Sequence, residues 1–125
     1  MEGNTKYNIN LDVKFGHHEL IDLASVIKTV NHHWFNQTLT QVNDSVVRIG
    51  VFEEGDFHWH KHDNDDEFFF VLEGALFIDL EDRTIELNPM QGTTISKGVM
   101  HCPRARGKRT VVLMVETANI VPTGD

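Results

Sequence analysis

The sequence predicts an all-β domain, a sandwich or small barrel of short strands with an arm and a short helix at its N-terminus. Three observations carry this expectation. From Val42 onward the apolar residues recur at every second position, the period of a strand with one buried face. Turn-forming clusters interrupt the pattern at intervals of roughly eight to twelve residues. The chain has 125 residues, of which 40% are hydrophobic and 24% charged, which suits one domain around one core.

Residues 1–17 are polar apart from the alternation Ile9, Leu11, Val13, which reads as an edge strand or an arm laid across the domain. Residues 19–30 read as a helix: Leu23, Val26, Ile27 and Val30 fall at helical spacing, and Asp22 can cap the start. Residues 31–36 read as a loop, with the adjacent His32 and His33 exposed or structural. The first strand of the barrel is placed at Val46–Phe52. Arg48 stands on that strand among apolar residues, either exposed or aimed into a polar cavity. Glu53–Asp56 turns the chain into a strand from Phe57 to His62, whose Trp59 reads as core. Glu67–Glu73 is the next strand, ending at Gly74. Ala75–Leu80, Thr84–Leu87 and Thr93–Ser96 follow, separated by turns. A further strand begins at His101, and Thr110–Glu116 is the last. The basic run Arg104–Arg109 between them reads as a solvated hairpin loop, with a phosphate-binding patch as the minority reading. The expected organisation is therefore an arm and helix over 1–41, a barrel over 42–117 and a tail over 118–125, all one domain.

Two strands, Phe68–Leu72 and Val111–Val115, are apolar on both faces, so both faces need cover. The N-terminal helix can supply some of it and a second copy of the chain the rest, which predicts a homodimer.

The chemistry concentrates in His58-Trp59-His60-Lys61-His62 and the acidic run that follows. On an extended strand His60 and His62 project to one face. Glu67 opens an apolar stretch, where a buried carboxylate needs a partner. Two imidazoles and a carboxylate converging across a hairpin can hold a divalent metal, and His101 is the candidate fourth ligand. His58 lies one step further along the same face and is open to three readings: a nearby base, an extra ligand or a rim residue. Cys102 follows a ligand position and reads as a buried inert thiol.

These residues resemble the motifs of the cupin superfamily. His60-Lys61-His62, four residues, Glu67, six residues and Gly74 match the first motif, although Gly55 stands one residue closer to His60 than is usual. In the second motif Gly98, two residues and His101 match, while Met90 replaces the first glycine, Ser96 the proline and Ala105 the final Asn. The run Asn43–Arg48, the block His58–Gly74, Asp82–Leu87 and Thr123-Gly124-Asp125 resemble the small single-domain cupins of the mannose-6-phosphate-isomerase-like type. The resemblance implies a jelly-roll barrel with one divalent transition metal per chain and a small-molecule ligand inside. Imidazole and carboxylate donors suit Fe, Mn, Ni, Co or Zn. Isomerase, hydrolytic and dioxygenase chemistry are open to such a centre, as is a non-catalytic binding or sensing role. His58 and Arg48 are the candidate catalytic residues beside the ligands. The acidic residues around the histidines count against a phosphosugar unless Arg48 or Arg104 anchors its phosphate.

The formal net charge of −8 argues against nucleic acid as a partner. No apolar run approaches the length of a membrane helix, the first residues lack a signal-peptide pattern, and a single cysteine excludes an internal disulfide. The expected location is the cytoplasm.

Overall fold

The computed structural model describes residues 7–125. Eight strands and one helix follow in the order β1 (Asn8–Asn10), α1 (Leu23–Lys28), β2 (Trp34–Val42), β3 (Ser45–Phe52), β4 (Gly55–Asp56), β5 (Glu67–Asp79), β6 (Thr84–Leu87), β7 (Gly92–Ile95) and β8 (Cys102–Thr117). The hydrogen-bonded order is β1-β2-β3-β8-β5-β6, with β4 added to β8 and β7 to β5.

Two long strands organise the whole. The C-terminal half of β8 runs between β3 and β5, whereas its N-terminal half runs between β4 and β5. Likewise β5 carries β7 along its first half and β6 along its second. Each long strand thus belongs to two leaves, and the register shift between Glu73 and Ala75 marks where they part. Gly74 makes that bend possible. Its φ is +82°, and a Cβ there would lie 2.4 Å from the Arg109 carbonyl oxygen. Glycine has no Cβ to collide, so one strand continues where the sequence suggested two.

The basic run is corrected for a related reason. Residues 104–109 lie within β8 and form no separate hairpin loop. Its three arginines are each paired with one carboxylate: Arg104 grips Asp79 at 2.6 and 2.9 Å, Arg106 reaches Asp56 at 3.0 Å, and Arg109 grips Glu73 at 3.0 and 2.9 Å. Forked carboxylate pairing of this kind leaves little for a phosphate.

The alternation along β2, β3 and β8 separates two cores. Trp34, Phe52, Phe69, Val71, Leu76, Ile78, Val112 and Met114 form the inner one, between the leaves. Val26, Leu39, Ile49, Val51 and Val111 form the outer one, joined by Leu23, Ile27, Val30, Leu72 and Leu113. The helix therefore covers the outer face of the β3/β8 region, where the sequence called for cover. It is shorter than the apolar periodicity suggested, and Asp22 caps it by accepting from the Ser25 amide. On the outer face of β5, Phe68 and Phe70 stack at 6.2 Å and stay half-buried.

Three further expectations change. Trp34–Val42 is a strand of the main sheet, so part of the segment assigned to arm and loop belongs to the barrel. The stretch after β4 is extended but makes only an isolated bridge, His60 to His101, instead of a full strand. Trp59 is 47% exposed and is not core. Among the described residues, no helix is long and apolar enough to cross a membrane.

Candidate metal centre

The site is assembled where the His60–His101 bridge meets the start of β5. His60 and His101 exchange backbone hydrogen bonds at 2.9 Å, and the Gly98 amide donates to the His62 carbonyl at 2.8 Å. These bonds fix the two histidine-bearing segments side by side. Glu67 comes from the first residue of β5, on its inner face.

The side chains of His60, His62, Glu67 and His101 meet here, all buried, with one ligand atom from each lying within 4.8 Å of the others. Ligand bonds of roughly 2.0–2.2 Å to a common ion span at most about 4.4 Å, so small side-chain adjustments would bring all four atoms onto one ion. The hydrogen bonds around the cluster define which nitrogens face inward. Nδ1 of His60 lies 2.9 Å from the His58 carbonyl, and Nδ1 of His101 lies 2.9 Å from the Val99 carbonyl. Each therefore donates its Nδ1 proton outward and keeps Nε2 for the interior, the arrangement that orients imidazole ligands.

Nε2 of His101 and Nε2 of His62 both lie 3.3 Å from the same oxygen, Oε1 of Glu67. For His101 this creates a conflict: both ring nitrogens face acceptors, and a neutral imidazole has one proton to give. A cation between the rings and the carboxylate resolves it. Neither nitrogen of the buried His62 has a hydrogen-bond partner. Such donors, orphaned and converging, fit a divalent metal.

The electrostatics point the same way. Burial pushes the His60 imidazole down to about 4, despite the opposing bond from its Nδ1 to the His58 carbonyl. It is thus neutral at physiological pH, as a ligand must be. Burial works to raise Glu67, but the His101 and His62 rings beside it outweigh that and hold the carboxyl at about 2.

A fifth residue, Glu116, belongs to the site and escaped the sequence reading. It is buried on β8 directly across the β5–β8 ladder from Glu67. Burial and the neighbouring Glu67 charge raise it well above the usual carboxylate range, with Arg48 opposing. Two like charges directly opposite each other are unfavourable, and protonation of one removes the clash. The period-two pattern could have placed Glu116 inward, since Val112 and Met114 precede it on the same face. It could not show Glu67 as its neighbour.

Arg48 is buried, with its side chain inside the barrel; of the two positions open to it, it takes the polar interior. Its terminal nitrogens donate to Thr38 Oγ1 and Asn36 Oδ1, and Nε stands 3.8 Å from Glu116. His58 stays apart from the four-residue cluster. Its Nδ1 meets the Tyr7 hydroxyl at 3.3 Å, and its Nε2 accompanies the Thr123 carbonyl at 2.7 Å, tying arm and tail together. The tail continues across the histidine strand. The Asp125 amide donates to the Lys61 carbonyl, and a Cβ on Gly124 would come within 2.6 Å of His60 Cβ. The Cys102 thiol is raised by burial, in keeping with an inert group.

Beside the cluster lies a cavity that opens partly to solvent. His60, Glu67, Glu116 and Asn36 supply its polar lining, and aromatic and aliphatic side chains the rest.

The cupin domain family matches residues 48–116. The chain belongs to the cupin family. A Bacillus subtilis protein described as uncharacterized, YdbB, is 40% identical over 96 residues, 76% of this chain and 83% of that one. Among solved structures, a cupin-2 domain protein from Shewanella frigidimarina is 32% identical with a TM-score of 0.73, covering 78% of this chain and 94% of its own. KdgF from a Halomonas species superposes with a TM-score of 0.65 at 17% identity, over 82% of this chain and 89% of its own, a likeness of fold. In this cupin the four buried residues that could hold a metal ion sit where the His-x-His, Glu and His motif positions fall.

Proposed function

We propose that this cupin is a metal-dependent enzyme acting on a small oxygen-containing molecule, as an isomerase or dioxygenase. One divalent transition metal per chain is held by Nε2 of His60, Nε2 of His101, a ring nitrogen of His62 and the Glu67 carboxylate. The observation that carries the reading is the pair of outward Nδ1 bonds, which leave the Nε2 lone pairs of His60 and His101 for an ion, that of His101 lying 3.3 Å from the Glu67 carboxylate with no proton to share. Such an ion would polarise a bound carbonyl or hydroxyl and make its neighbouring proton acidic.

Catalysis is favoured over a purely binding role by the position of Glu116. It lines the same cavity as His60 and Glu67, and burial and the Glu67 charge raise its carboxyl well above the usual range, the kind of tuning a general acid or base needs. Arg48 sets the charge behind Glu116 and is a positioning residue in this scheme. His58 holds His60 through its carbonyl and anchors the tail. The ligand occupies the cavity. We also propose a homodimer packed on the outer face around Phe68, Phe70 and Val115, and a cytoplasmic location in keeping with the single buried thiol.

Elemental analysis of anaerobically purified protein tests the centre. Wild type is expected to hold about one metal per chain, and H60A/H62A almost none. Equal metal content in the two proteins would refute the ligand assignment.

A further inference from the structure

The walls of the cavity say what the ligand is made of. Tyr7 from the arm, Trp34 from β2, Phe52 from β3 and Phe57 from the segment before the histidines all line it. They form one aromatic cluster. Trp34 stacks on Phe52 at 4.3 Å and on Phe57 at 5.7 Å, while Tyr7 lies 4.5 Å from Phe57. Four separate segments converge to build this surface. Met114, Leu76 and Phe69 extend it without adding a polar atom beyond the backbone.

The charges tell the same story by what they leave over. Among the described residues, no lysine or arginine lines the cavity. Arg48, the cation nearest to it in sequence logic, is committed to Thr38, Asn36 and Glu116. Arg104 is held by Asp79. The titratable groups that do line the cavity are the His60 imidazole and two carboxyls, Glu67 and Glu116. A phosphate brings about two negative charges and needs guanidinium, ammonium or clustered amide donors to replace its water. Nothing of that kind faces it from the described residues. Asn36 is different: its carbonyl oxygen accepts from Arg48, which leaves its NH₂ to donate to a ligand oxygen.

We infer that the cavity takes a flat, largely apolar molecule with an oxygen pair at one end and no phosphate. The inference rests on the metal reading above for the oxygen end and on the aromatic walls for the body. The oxygen pair lies toward the four-residue cluster, within reach of Glu116 and Asn36, and the apolar body lies against Trp34, Phe57 and Tyr7. Aromatic side chains favour flat ligands through stacking and burial, while a few polar groups fix orientation. Phosphosugars, the ligands that the mannose-6-phosphate-isomerase-like resemblance would suggest, are disfavoured by the same walls.

Calorimetric titration of the Mn(II)-loaded full chain with maltol, a neutral ring bearing two adjacent oxygens, and with mannose 6-phosphate tests this. Maltol is expected to bind at least about tenfold more tightly, and Trp34→Leu and Phe57→Leu each to weaken it about tenfold at unchanged metal content. Equal or tighter binding of mannose 6-phosphate, or unaltered maltol affinity in both variants, would overturn the inference. Phenol titrated into the metal-free chain separates the two readings. If the protein holds no metal but phenol binds, weakens in both variants and is not displaced by inorganic phosphate, the metal assignment fails and the apolar chamber stands. Absence of phenol binding to the wild type would overturn the chamber itself.

Discussion

Two buried polar groups sit inside this barrel, and they solve the same problem in opposite ways. Around Arg48 the cation is built into the chain: a guanidinium donates to Thr38 and Asn36 and lies 3.8 Å from Glu116, although its Nε and both Glu116 oxygens make no hydrogen bond. Around Glu67 the chain supplies three imidazoles and a carboxylate but no fixed cation, and both His62 nitrogens lack a partner. Burial makes unpaired polar atoms costly, so the second cluster is incomplete as protein alone. The difference teaches where a ligand ion belongs. It also explains Glu116, which stands between the two: drawn toward ionisation by Arg48 and away from it by burial and Glu67.

The sharpest way to break the comparison is to remove the built-in cation. Arg48→Met should cost about 1–3 kcal/mol in denaturant unfolding, because the buried Thr38 and Asn36 oxygens lose their donor. Adding Glu116→Leu to it should recover part of that loss, since it removes a buried carboxyl that no longer has a cation beside it. An Arg48→Met protein as stable as wild type would mean that the guanidinium is not holding this cluster together.

The other cluster should respond to metal instead. At about one hundred times the dissociation constant, a bound ion stabilises the fold by about 2.7 kcal/mol, or on the order of 10 °C in Tm for a domain of this size. Thermal scans with Mn(II) or Zn(II) should show that rise in wild type and lose it in H60A/H62A.

Proton linkage separates the groups further. In the metal-free protein His60 is depressed from 6.5 to about 4, so its contribution is present above pH 6.5 and lost as pH falls toward 4. Glu67, lowered from 4.5 to about 2, contributes above pH 4.5 and loses that contribution as pH falls toward 2. Glu116 has the opposite sign. Its folded form holds a proton that the unfolded chain gives up above pH 4.5, so it costs stability as pH rises from there. Glu116→Gln should therefore be nearly neutral at pH 4.5 and increasingly stabilising as pH rises toward 8. Parallel urea curves for the two proteins at every pH would show that Glu116 is not held protonated.

The smallest effect lies outside both clusters. Met90 occupies the motif's first glycine position with φ +71° and is 73% exposed. A non-glycine residue in the left-handed region is strained by about 1–2 kcal/mol, part of which glycine returns as unfolded-chain entropy. Met90→Gly should raise stability by about 0.5–1 kcal/mol and leave metal content untouched, as measured by urea unfolding and elemental analysis.

What was legible in the sequence is local or periodic. The alternation through Val46–Phe52 fixes which residues face inward, and the spacing of His60, His62, Glu67 and His101 brings donors to one strand end because a strand repeats every two residues. Asp22 announces the helix start, because a cap is a bond between near neighbours. The continuity of β5 through Gly74 and of β8 through the basic run depended on partners far along the chain, so turn-like composition misled there. Trp34–Val42 looked like arm and loop for the same reason: its ladder to β3 is a tertiary fact. Nor could spacing reveal that Glu116 faces Glu67, that Arg48 is spent on Asn36 and Thr38, or that Tyr7, Trp34, Phe52 and Phe57 wall one chamber. Residue type and period decide which side of a strand a group takes; only the closing of the sheet decides which group it meets there, because that contact joins segments whose separation along the chain carries no energetic signal of its own.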